Sequence, residues 1–457
     1  MNKKPNTSRR TFIAGAASAI AAPTIIPSSV LGADAPSNKI NMGFVGMGNR
    51  GRGVMTALMN HKQAHGVAVC DLENSYKAPN GGSHQGVEAG LGLLNGANKK
   101  KGGAETGVKG YSDFRKMIEK EDLDAIMVAT PDHWHALVCM EALRNGIDVY
   151  CEKPITHLFA EGYHLHREVA KRGRIFQVGS QQRSDKRFRH AVEIVRNGHL
   201  GKIQKVEVGL PAGKDSPQGE TVGEIPAGFD YDMWCGPSEK LPFMPCRYHW
   251  NWRWHLSYGG GQLMDWIGHH NDIAHWGLGM DKAGPLSVEA RNFEYVSELM
   301  EVYNSPRHYD VVSQYPGDIE VILSSRNTMG TKWIGENGWV YVTRGKIEAS
   351  NPEWIATSGD QKNNNSTDFT FNPGDWKGYH PGNGHQSNFV QGVVDRKECI
   401  CSAETGHRSA TPGHIAYVSQ KLGRAIKWDS KAEKVIGDEE AQKELMALPY
   451  RGDWKLI

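Results

Sequence analysis

A glycine-rich turn near residue 46 constrains the fold of this chain more than any other feature. It follows the apolar residues 42–45, and its glycines stand at Gly46, Gly48 and Gly51. The G-x-G-x-x-G spacing predicts a strand, a tight turn and the start of a helix. The first glycine permits the turn, the second lets a pyrophosphate approach the backbone, and the third lets helix and strand pack closely. We predict a dinucleotide site here; a glycine-rich turn of another α/β protein is the alternative.

An acidic residue at the end of the next apolar segment supports this prediction. Residues 66–70 are followed by Asp71, about 20 residues after Gly51, where a dinucleotide-binding sequence carries a carboxylate. A carboxylate there accepts hydrogen bonds from the adenosine ribose hydroxyls and disfavours a 2′-phosphate. The sequence therefore predicts NAD rather than NADP.

Strand and helix patterns alternate from about residue 38 to residue 183. Such alternation predicts a doubly wound parallel sheet, so we predict a nucleotide-binding domain over these residues. Ligands bind outside the carboxyl ends of the strands in such sheets. The candidate residues at these ends are Asp71, Thr130, Lys153 and Gln182.

The pattern changes after residue 184. Strand candidates with alternating polar and apolar residues dominate, and residues 261–278 are predicted to form a helix. Such strands indicate an antiparallel sheet covered on one face. We therefore predict an α/β chain whose second domain spans 184–457. The polar, glycine-rich residues 74–110 look like a long insertion, predicted to be a mobile loop near the cofactor.

The N-terminal residues read as an export signal. Residues 8–13, Ser-Arg-Arg-Thr-Phe-Ile, match a twin-arginine pattern, and the Ala-rich residues 14–26 follow. We predict a signal over 1–35, the Tat export machinery as a partner, and a periplasmic or other extracytoplasmic location. A disordered tail and a retained membrane anchor are the alternatives. Since this route carries folded proteins, a cofactor can be loaded before export.

Charge and cysteine content narrow the remaining classes. The formal net charge is +2, which gives no electrostatic case for nucleic-acid binding. The seven cysteines form no C-x-x-C pair and are predicted to be reduced, small apolar residues. A Cys235–Cys246 bridge in an oxidising compartment, and a Cys399–Cys401 pair, stay open as alternatives.

Three side chains carry the chemistry expected beside a nicotinamide. Lys153 stands at the end of a predicted strand, where it can donate a hydrogen bond to a reacting hydroxyl. Asp265 and His269 are four residues apart, so a helix places them on one face. A neutral histidine can accept the proton of an alcohol. The structural alternative is a surface lysine and a core histidine on a capped helix.

A metal site is the other alternative for this helix. His269, His270, Asp272 and His275 are close in sequence. However, His270 points away from His269 on a helix, and no H-E-x-x-H spacing is present. We therefore predict no metal.

The motifs together resemble the Gfo/Idh/MocA family of NAD(P)-dependent sugar and cyclitol oxidoreductases. The resemblance runs from about residue 39 to residue 428. It rests on the glycine turn, Thr130-Pro131 with the histidines after it, Glu152-Lys153-Pro154, and the block from three glycines to Asp272. It implies a Rossmann domain followed by an α/β domain with a large open, mainly antiparallel sheet. It also implies a homo-oligomer, a dimer or tetramer.

The resemblance implies roles for individual residues. Lys153 corresponds to an active-site lysine that touches nicotinamide and substrate, with a cis bond to Pro154. Asp265 and His269 correspond to the pair that contacts the reacting hydroxyls, and His269 is the acid/base. The implied cofactor contacts are Gly46, Met47, Gly48, Asn49, Arg50, Gly51, Asp71, Thr130, Pro131, His135, Glu152, Lys153 and Gln182. The implied substrate contacts are Arg183, Trp252, Arg253, Asp265, His269 and His270.

The segment 249–255 departs from the family pattern because it is rich in tryptophan and histidine. Aromatic faces stack on sugar rings, so it suggests a carbohydrate pocket. Core aromatics at an oligomer contact are the alternative.

Three functions follow as expectations. The first is oxidation of a ring hydroxyl of a sugar, glycoside or cyclitol with tightly bound NAD. The second is glycoside hydrolysis by transient oxidation at C3, elimination, hydration and re-reduction. The third is sugar or cofactor binding without turnover. Export favours a cofactor that stays bound and is regenerated within each cycle.

Overall fold

The computed structural model describes residues 39–77, 84–102, 107–215, 217, 219–295, 302–355 and 384–457. The predicted export signal at 1–35 lies outside the described residues. Residues Ile40–Ile457 form one compact unit. Within the described part of the chain, no helix is long and apolar enough to cross a membrane.

A six-stranded parallel sheet forms the N-terminal part of this unit. Its strand order is β5-β2-β1-β6-β7-β8, and every neighbouring pair is parallel. The first eight strands are β1 Ile40–Val45, β2 Ala64–Cys70, β3 Tyr76–Lys77, β4 His84–Gln85, β5 Lys109–Tyr111, β6 Ala125–Val128, β7 Asp148–Cys151 and β8 Phe176–Val178. Strands β3 and β4 form a separate antiparallel hairpin. The order reverses between β1 and β6, which is where doubly wound sheets bind ligands.

Helices connect these strands. They are α1 Asn49–Met59, α2 Val87–Lys100, α3 Phe114–Lys120, α4 Asp132–Arg144 and α5 Phe159–Arg172. The apolar residues of β1, β6 and β7 are fully buried, as expected when helices cover both faces of a parallel sheet. The predicted doubly wound sheet is therefore confirmed.

The prediction of a loop over 74–110 is wrong in its described part, because residues 87–100 form α2. Leu94 of this helix is buried over Gly66, whose added Cβ would lie 2.1 Å from the Leu94 side chain. The Asn98 side chain bonds both the N–H and the carbonyl of Gly66, at 3.2 and 2.8 Å. The helix is not evident from the sequence, because glycines interrupt its apolar pattern. One of them, Gly90, allows close contact with the Met47 side chain.

A nine-stranded sheet forms the C-terminal part. Its order is β15-β14-β13-β9-β12-β11-β10-β16-β17, and only the β9–β12 pair among these is parallel. Its strands are β9 Ile203–Gly209, β10 Ser287–Tyr295, β11 Pro306–Tyr315, β12 Ile319–Ser324, β13 Gly330–Gly335, β14 Gly338–Thr343, β15 Lys346–Ala349, β16 Ile426–Asp429 and β17 Lys434–Val435. This mainly antiparallel sheet confirms the predicted fold class.

The helices of this part are α6 Lys186–Arg196, α7 Tyr231–Cys235, α8 Gly261–Leu278, α9 His385–Asp395, α10 Ala403–Leu422 and α11 Glu439–Leu445. Helices α6, α8, α10 and α11 form the largest apolar core together with this sheet. Helix α9 packs in the core of the parallel sheet, and α7 packs in a separate aromatic cluster. Trp333 of β13 is fully buried against Gly277 of α8, where an added Cβ would lie 2.7 Å from the indole. Helix α10 begins at Ala403, where the Ser402 side chain caps its N-terminus, and it continues through Pro412.

All seven cysteines are free and buried. The structure therefore gives neither of the two alternative disulfides, and the thiols pack as small apolar groups. Burial raises the pKa of Cys246 to about 11 and keeps that thiol protonated at neutral pH.

Candidate active site

One cavity of about 1040 Å³ joins the two sheets. It begins at the carboxyl ends of β1, β2, β6 and β7 and continues to the N-terminal half of α8. One end is lined by the glycine turn and Asp71, and the other by Lys153, Asp265 and His269. This single space is large enough for an extended dinucleotide together with a small ring substrate.

The glycine turn is shaped for a dinucleotide. Gly46 has φ +88°, and an added Cβ would lie 2.5 Å from the Ala129 carbonyl oxygen. A Cβ on Gly51 would lie 1.8 Å from the Gly46 carbonyl oxygen. Gly48 then precedes helix α1 as an N-cap without a side chain, so the first N–H groups of the helix are available to phosphate oxygens. This cradle fits the pyrophosphate of NAD.

Asp71 lies where an adenosine ribose would bind. Its two carboxylate oxygens accept hydrogen bonds from the backbone N–H of Met47 at 2.6 Å and of Glu73 at 3.2 Å. Burial raises the pKa of Asp71 to about 6, and the backbone donors limit that rise. At neutral pH the group is mostly ionised, and its remaining lone pairs can accept the ribose hydroxyls.

Lys153 and Asp265 form a direct ion pair in the cavity. The Lys153 ammonium donates to the Asp265 carbonyl oxygen at 2.7 Å and to its carboxylate Oδ1 at 2.9 Å. Arg253 Nε donates to the same Oδ1 at 3.2 Å. Burial acts to raise the pKa of Asp265, but the two cations outweigh it and lower the pKa. Asp265 is therefore a carboxylate that holds the lysine in place.

The backbone at Lys153 and at the facing helix α8 allows the lysine side chain to reach Asp265. The Lys153–Pro154 peptide bond is cis, as the resemblance implied. Gly268 of α8 faces the lysine stem, and an added Cβ would lie 3.0 Å from Lys153 Cβ. His135 bonds the carbonyl oxygens of Pro154 at 2.8 Å and Thr130 at 3.1 Å, so it ties the lysine loop to the end of β6.

His269 lies one helical turn after Asp265 and lines the same cavity. Its side chain is buried, and its Nδ1 has no hydrogen-bond partner in the described residues. Burial, followed by the Lys153 and Arg344 cations, lowers the pKa of His269 well below 6.5. The ring is therefore neutral at physiological pH, and a neutral imidazole can accept a proton.

Gln181 takes the place that the sequence assigned to Gln182. Gln181 lines the cavity and donates to Glu152 Oε1 at 2.9 Å, and Arg50 donates to the same oxygen at 2.9 Å. Gln182 is buried behind the cavity wall. With its amide oriented to satisfy its neighbours, it donates to the His269 carbonyl at 3.0 Å and accepts from His270 Nε2 at 3.3 Å.

Arg183 and His270, which the resemblance assigned to the substrate site, do not line the cavity. Arg183 is 1% exposed and is paired with Asp272 at 2.7 Å and Asp281 at 2.8 Å. His270 points to the opposite side of α8 from the cavity and bonds the Gly209 carbonyl at 2.8 Å. Consecutive helical residues differ by about 100° in direction, which separates His270 from His269.

The histidines of α8 do not converge on a metal site. His270 bonds β9, and His275 bonds the Tyr315 hydroxyl on β11 at 2.5 Å. In the described ranges, one group has metal-compatible spacing, namely His166, His407 and Glu433. Arg167 donates to Glu433 and to His166 Nε2, so an arginine already satisfies two of these ligands.

Aromatic side chains form the outer wall of the substrate end. The Arg253 guanidinium carbon lies 4.3 Å from the ring centres of both Trp250 and Trp252. Trp250 is 49% exposed at the cavity mouth. An exposed indole at this end of the cavity offers an apolar face on which a sugar ring can stack.

Asp132 is a cavity residue that the sequence did not single out. It is 3% exposed and is the first residue of α4, directly after Thr130-Pro131. Burial, and then the charge of Asp265, raise the pKa of Asp132 to about 8, while Arg253 and Lys153 oppose the shift. Its position just after the end of a predicted strand could have identified it. Thr130, Pro131 and His135 were assigned there from the sequence, but Asp132 was not.

We expect Asp132→Asn to flatten the pH dependence of stability. The folded-state pKa of about 8 lies above the unfolded value. Stability contributed by this carboxyl is therefore fully present below the unfolded pKa and is lost as pH rises through about 8. Thermal unfolding between pH 5 and pH 9 should show a smaller fall in Tm for the variant. Asp318→Asn, at a side chain that is 96% exposed, is the control and should retain the wild-type slope.

The cavity joins a dinucleotide-binding turn to a group of proton-transfer side chains, a combination typical of NAD-dependent dehydrogenases. Comparison with protein-family models narrows this class. A model described as "Oxidoreductase family, NAD-binding Rossmann fold" matches residues 40–180. Its companion, "Oxidoreductase family, C-terminal alpha/beta domain", matches residues 186–370 and 377–456. The chain belongs to the Gfo/Idh/MocA oxidoreductase family.

Individual relatives are similar over part of their length. Inositol 2-dehydrogenase 4 of Saccharopolyspora erythraea is 34% identical over 103 residues, which are 22% of this chain and 30% of that protein. The scyllo-inositol 2-dehydrogenase (NAD(+)) of Bacillus subtilis is 23% identical over 243 residues, 52% of this chain and 60% of that protein. Thus the chain spans between 25% and 60% of the length of such curated relatives.

Solved structures share the fold. An aldose-aldose oxidoreductase from Caulobacter crescentus aligns with a TM-score of 0.55 and 18% identity. The alignment covers 85% of this chain and 99% of that one.

Proposed function

We propose that this protein oxidises a ring hydroxyl of a sugar, glycoside or cyclitol and keeps its NAD bound through turnover. One observation carries the proposal. The cavity that begins at the dinucleotide turn ends at Lys153, Asp265 and a neutral His269.

Each of these side chains has a defined task in such a reaction. NAD, when bound, supplies the hydride acceptor. His269 accepts the hydroxyl proton on its imidazole, since its lowered pKa keeps the ring neutral. Lys153 donates a hydrogen bond to the same oxygen and stabilises its developing negative charge. Asp265 fixes the lysine and accepts from a neighbouring substrate hydroxyl.

An inter-segment contact supports a retained cofactor. Tyr76 of the β3–β4 hairpin stacks on His249, with ring centres 4.2 Å apart and planes at 13°. The Tyr248 hydroxyl donates to the Glu73 carboxylate. A Cβ on Gly48 would lie 3.3 Å from the Tyr76 hydroxyl, so this contact lies directly over the dinucleotide turn. We call Glu73, Tyr76, Tyr248 and His249 the clasp.

The clasp joins the hairpin after β2 to the tryptophan-rich segment of the C-terminal part. His249 adopts φ +50°, a conformation that non-glycine residues rarely hold without compensating contacts. Both contacts link the same two segments, so together they hold the tryptophan-rich segment over the dinucleotide turn. Retention of the cofactor suits an exported enzyme, because free NAD is scarce outside the cytoplasm. Export by the twin-arginine route and a homo-oligomeric state are further parts of this proposal.

We expect Tyr76→Ala to accelerate release of the nicotinamide cofactor by about 3- to 10-fold, the effect of losing one aromatic stack. The rate can be followed by stopped-flow displacement of NADH fluorescence. Tyr76→Phe is the matched control, because it keeps the ring and removes only the hydroxyl. Equal release rates for wild type and Tyr76→Ala would contradict a role for the clasp in retention.

Asp132 favours a second candidate, NAD-dependent glycoside hydrolysis. After oxidation at C3, elimination of the group at C1 needs a proton donor besides His269. Asp132 is a buried carboxyl in the same cavity, with its pKa raised to about 8, so it is protonated at neutral pH.

One experiment separates the two reactions. The purified protein is incubated with aryl glycosides in deuterated water, while reduced-nicotinamide absorbance, aglycone release and deuterium at C2 are followed. Lasting cofactor reduction, or ketone formed together with a reduced second sugar, supports the oxidoreductase. Aglycone release with deuterium at C2 and no lasting reduction supports the hydrolase. The absence of every signal across a broad panel of sugars would favour a binding protein without turnover.

A further inference from the structure

Arg344 enters the substrate end of the cavity from a distant part of the chain. It lies in the turn between β14 and β15 and lines the cavity together with Trp266 and His269. Its guanidinium carbon is 4.7 Å from the centre of the Trp266 ring. The oriented Gln182 amide oxygen accepts from Arg344 Nε at 3.2 Å. Stacking on one side and a buried acceptor on the other hold the guanidinium and leave its terminal NH₂ groups for a ligand.

The charges around this arginine are unbalanced. Lys153 and Arg253 both bond Asp265, and Arg50 bonds Glu152. Across the described ranges, no carboxylate lies within ion-pair distance of Arg344. The substrate end therefore carries a surplus positive charge held in a fixed orientation. A planar guanidinium in this state is complementary to a carboxylate, which it can bind through two parallel hydrogen bonds.

We propose that Arg344 binds a carboxylate of the substrate, so that the ring oxidised by this protein belongs to a uronic acid or a similar acidic sugar. The inference rests on the proposed function, because it assumes that the ring substrate binds beside Lys153 and His269. Arg344 lies on the side of the cavity where His269 is found. His269 in turn is one helical turn after Asp265 on α8. A carboxylate bound there places the ring between Arg344 and the Lys153–Asp265 pair.

The cofactor pyrophosphate is the competing partner for Arg344. The glycine turn and the start of α1 already offer backbone donors to that group, and Arg50 of α1 stands beside them. Arg344 instead contacts Trp266 and Gln182, and Gln182 also donates to the His269 carbonyl. These contacts belong to the substrate end.

The test uses a matched substrate pair, methyl glucuronoside and methyl glucoside, with the NAD-loaded full chain. Wild type should show the higher kcat/KM for the acid. Arg344→Gln should reduce the acid-to-neutral ratio of kcat/KM by about 10- to 100-fold, the effect of losing a charge-assisted pair of hydrogen bonds. Lys346→Gln is the control, since Lys346 lies in the same turn, bonds Glu348 and does not line the cavity. It should leave the ratio unchanged.

Two calorimetric titrations separate substrate binding from cofactor binding and from turnover. Calorimetric titration of the glucuronoside should show binding to wild type and weakened binding to Arg344→Gln, whether or not hydride is transferred. Titration of NAD should give the same affinity for both proteins. A wild-type preference for the glucoside, or a loss of NAD affinity in Arg344→Gln with an unchanged ratio, would overturn the inference. Carboxylate-dependent binding without any cofactor reduction would support Arg344 and instead overturn the proposed oxidation.

Discussion

Lys153→Met is expected to lower the rate of hydride transfer from the sugar by about 100- to 10,000-fold, the range for losing a positioned proton-transfer or charge-stabilising group. Methionine keeps the length and apolar stem of lysine but removes the ammonium. The Asp265 carboxylate then keeps only Arg253 as its cation, and the reacting oxygen loses its donor. Single-turnover reduction of bound NAD, followed by nicotinamide absorbance, measures this step directly.

The pH profile adds a second signature to the same variant. Burial contributes most to the lowered pKa of His269, and the positive charge of Lys153 contributes next. Removal of the ammonium should therefore raise the His269 pKa, and the acidic limb of the rate profile should move to higher pH. A loss of rate without that movement would indicate that the lysine acts on packing alone.

Arg253→Met is the matched control for this prediction. It removes the other cation that bonds Asp265 and leaves Lys153 in place. We expect a smaller loss of hydride transfer, because Arg253 bonds Asp265 and packs against Trp250 and Trp252, whereas Lys153 is the donor proposed for the reacting oxygen. Equal losses in the two variants would contradict a direct role of Lys153 at the reacting oxygen. An unchanged rate in Lys153→Met would eliminate the mechanism.

The predicted residues that line the cavity are those whose position follows from local spacing. The glycine turn, Asp71 and Lys153 each stand at the end of a parallel strand, and the topology brings such ends together at one edge. Asp265 and His269 share a helical face by their spacing. These signals need only a few neighbouring residues.

Residues assigned without a directional signal do not line the cavity. Gln182 and Arg183 follow β8, but the short helical turn there presents Gln181 to the cavity and directs its two successors inward. His270 is a neighbour of His269 in sequence but faces β9. The direction of a side chain after a strand end depends on the turn that follows, which spacing alone does not specify.

Arg344 was missed for a different reason. It lies 75 residues after His269, in a strand turn with no motif around it. Only the order of the nine-stranded sheet, with β14 and β15 at its edge, brings that turn to the cavity. Non-local strand pairing is the information that a single sequence lacks.

Gly51→Ala should abolish tight NAD binding and destabilise the protein by about 1–3 kcal/mol, the usual cost of overpacking. An added Cβ would lie 1.8 Å from the Gly46 carbonyl oxygen and 3.0 Å from its carbon. Neither backbone atom can move away as a flexible side chain would. Helix α1 must therefore separate from the turn, and the N–H groups that face the pyrophosphate move with it. Urea unfolding and NAD titration measure the two effects.

Gly53→Ala is the matched control, two residues further along α1. No atom lies within 4 Å of an added Cβ there, so alanine is accommodated without strain. Because glycine inside a helix costs about 0.5–1 kcal/mol relative to alanine, this variant should be more stable than wild type by that amount and bind NAD equally well. The same substitution in one helix thus acts in opposite directions, according to whether the missing Cβ faces the turn or solvent. Wild-type NAD affinity in Gly51→Ala would show that close packing of α1 on the turn is not what positions the dinucleotide.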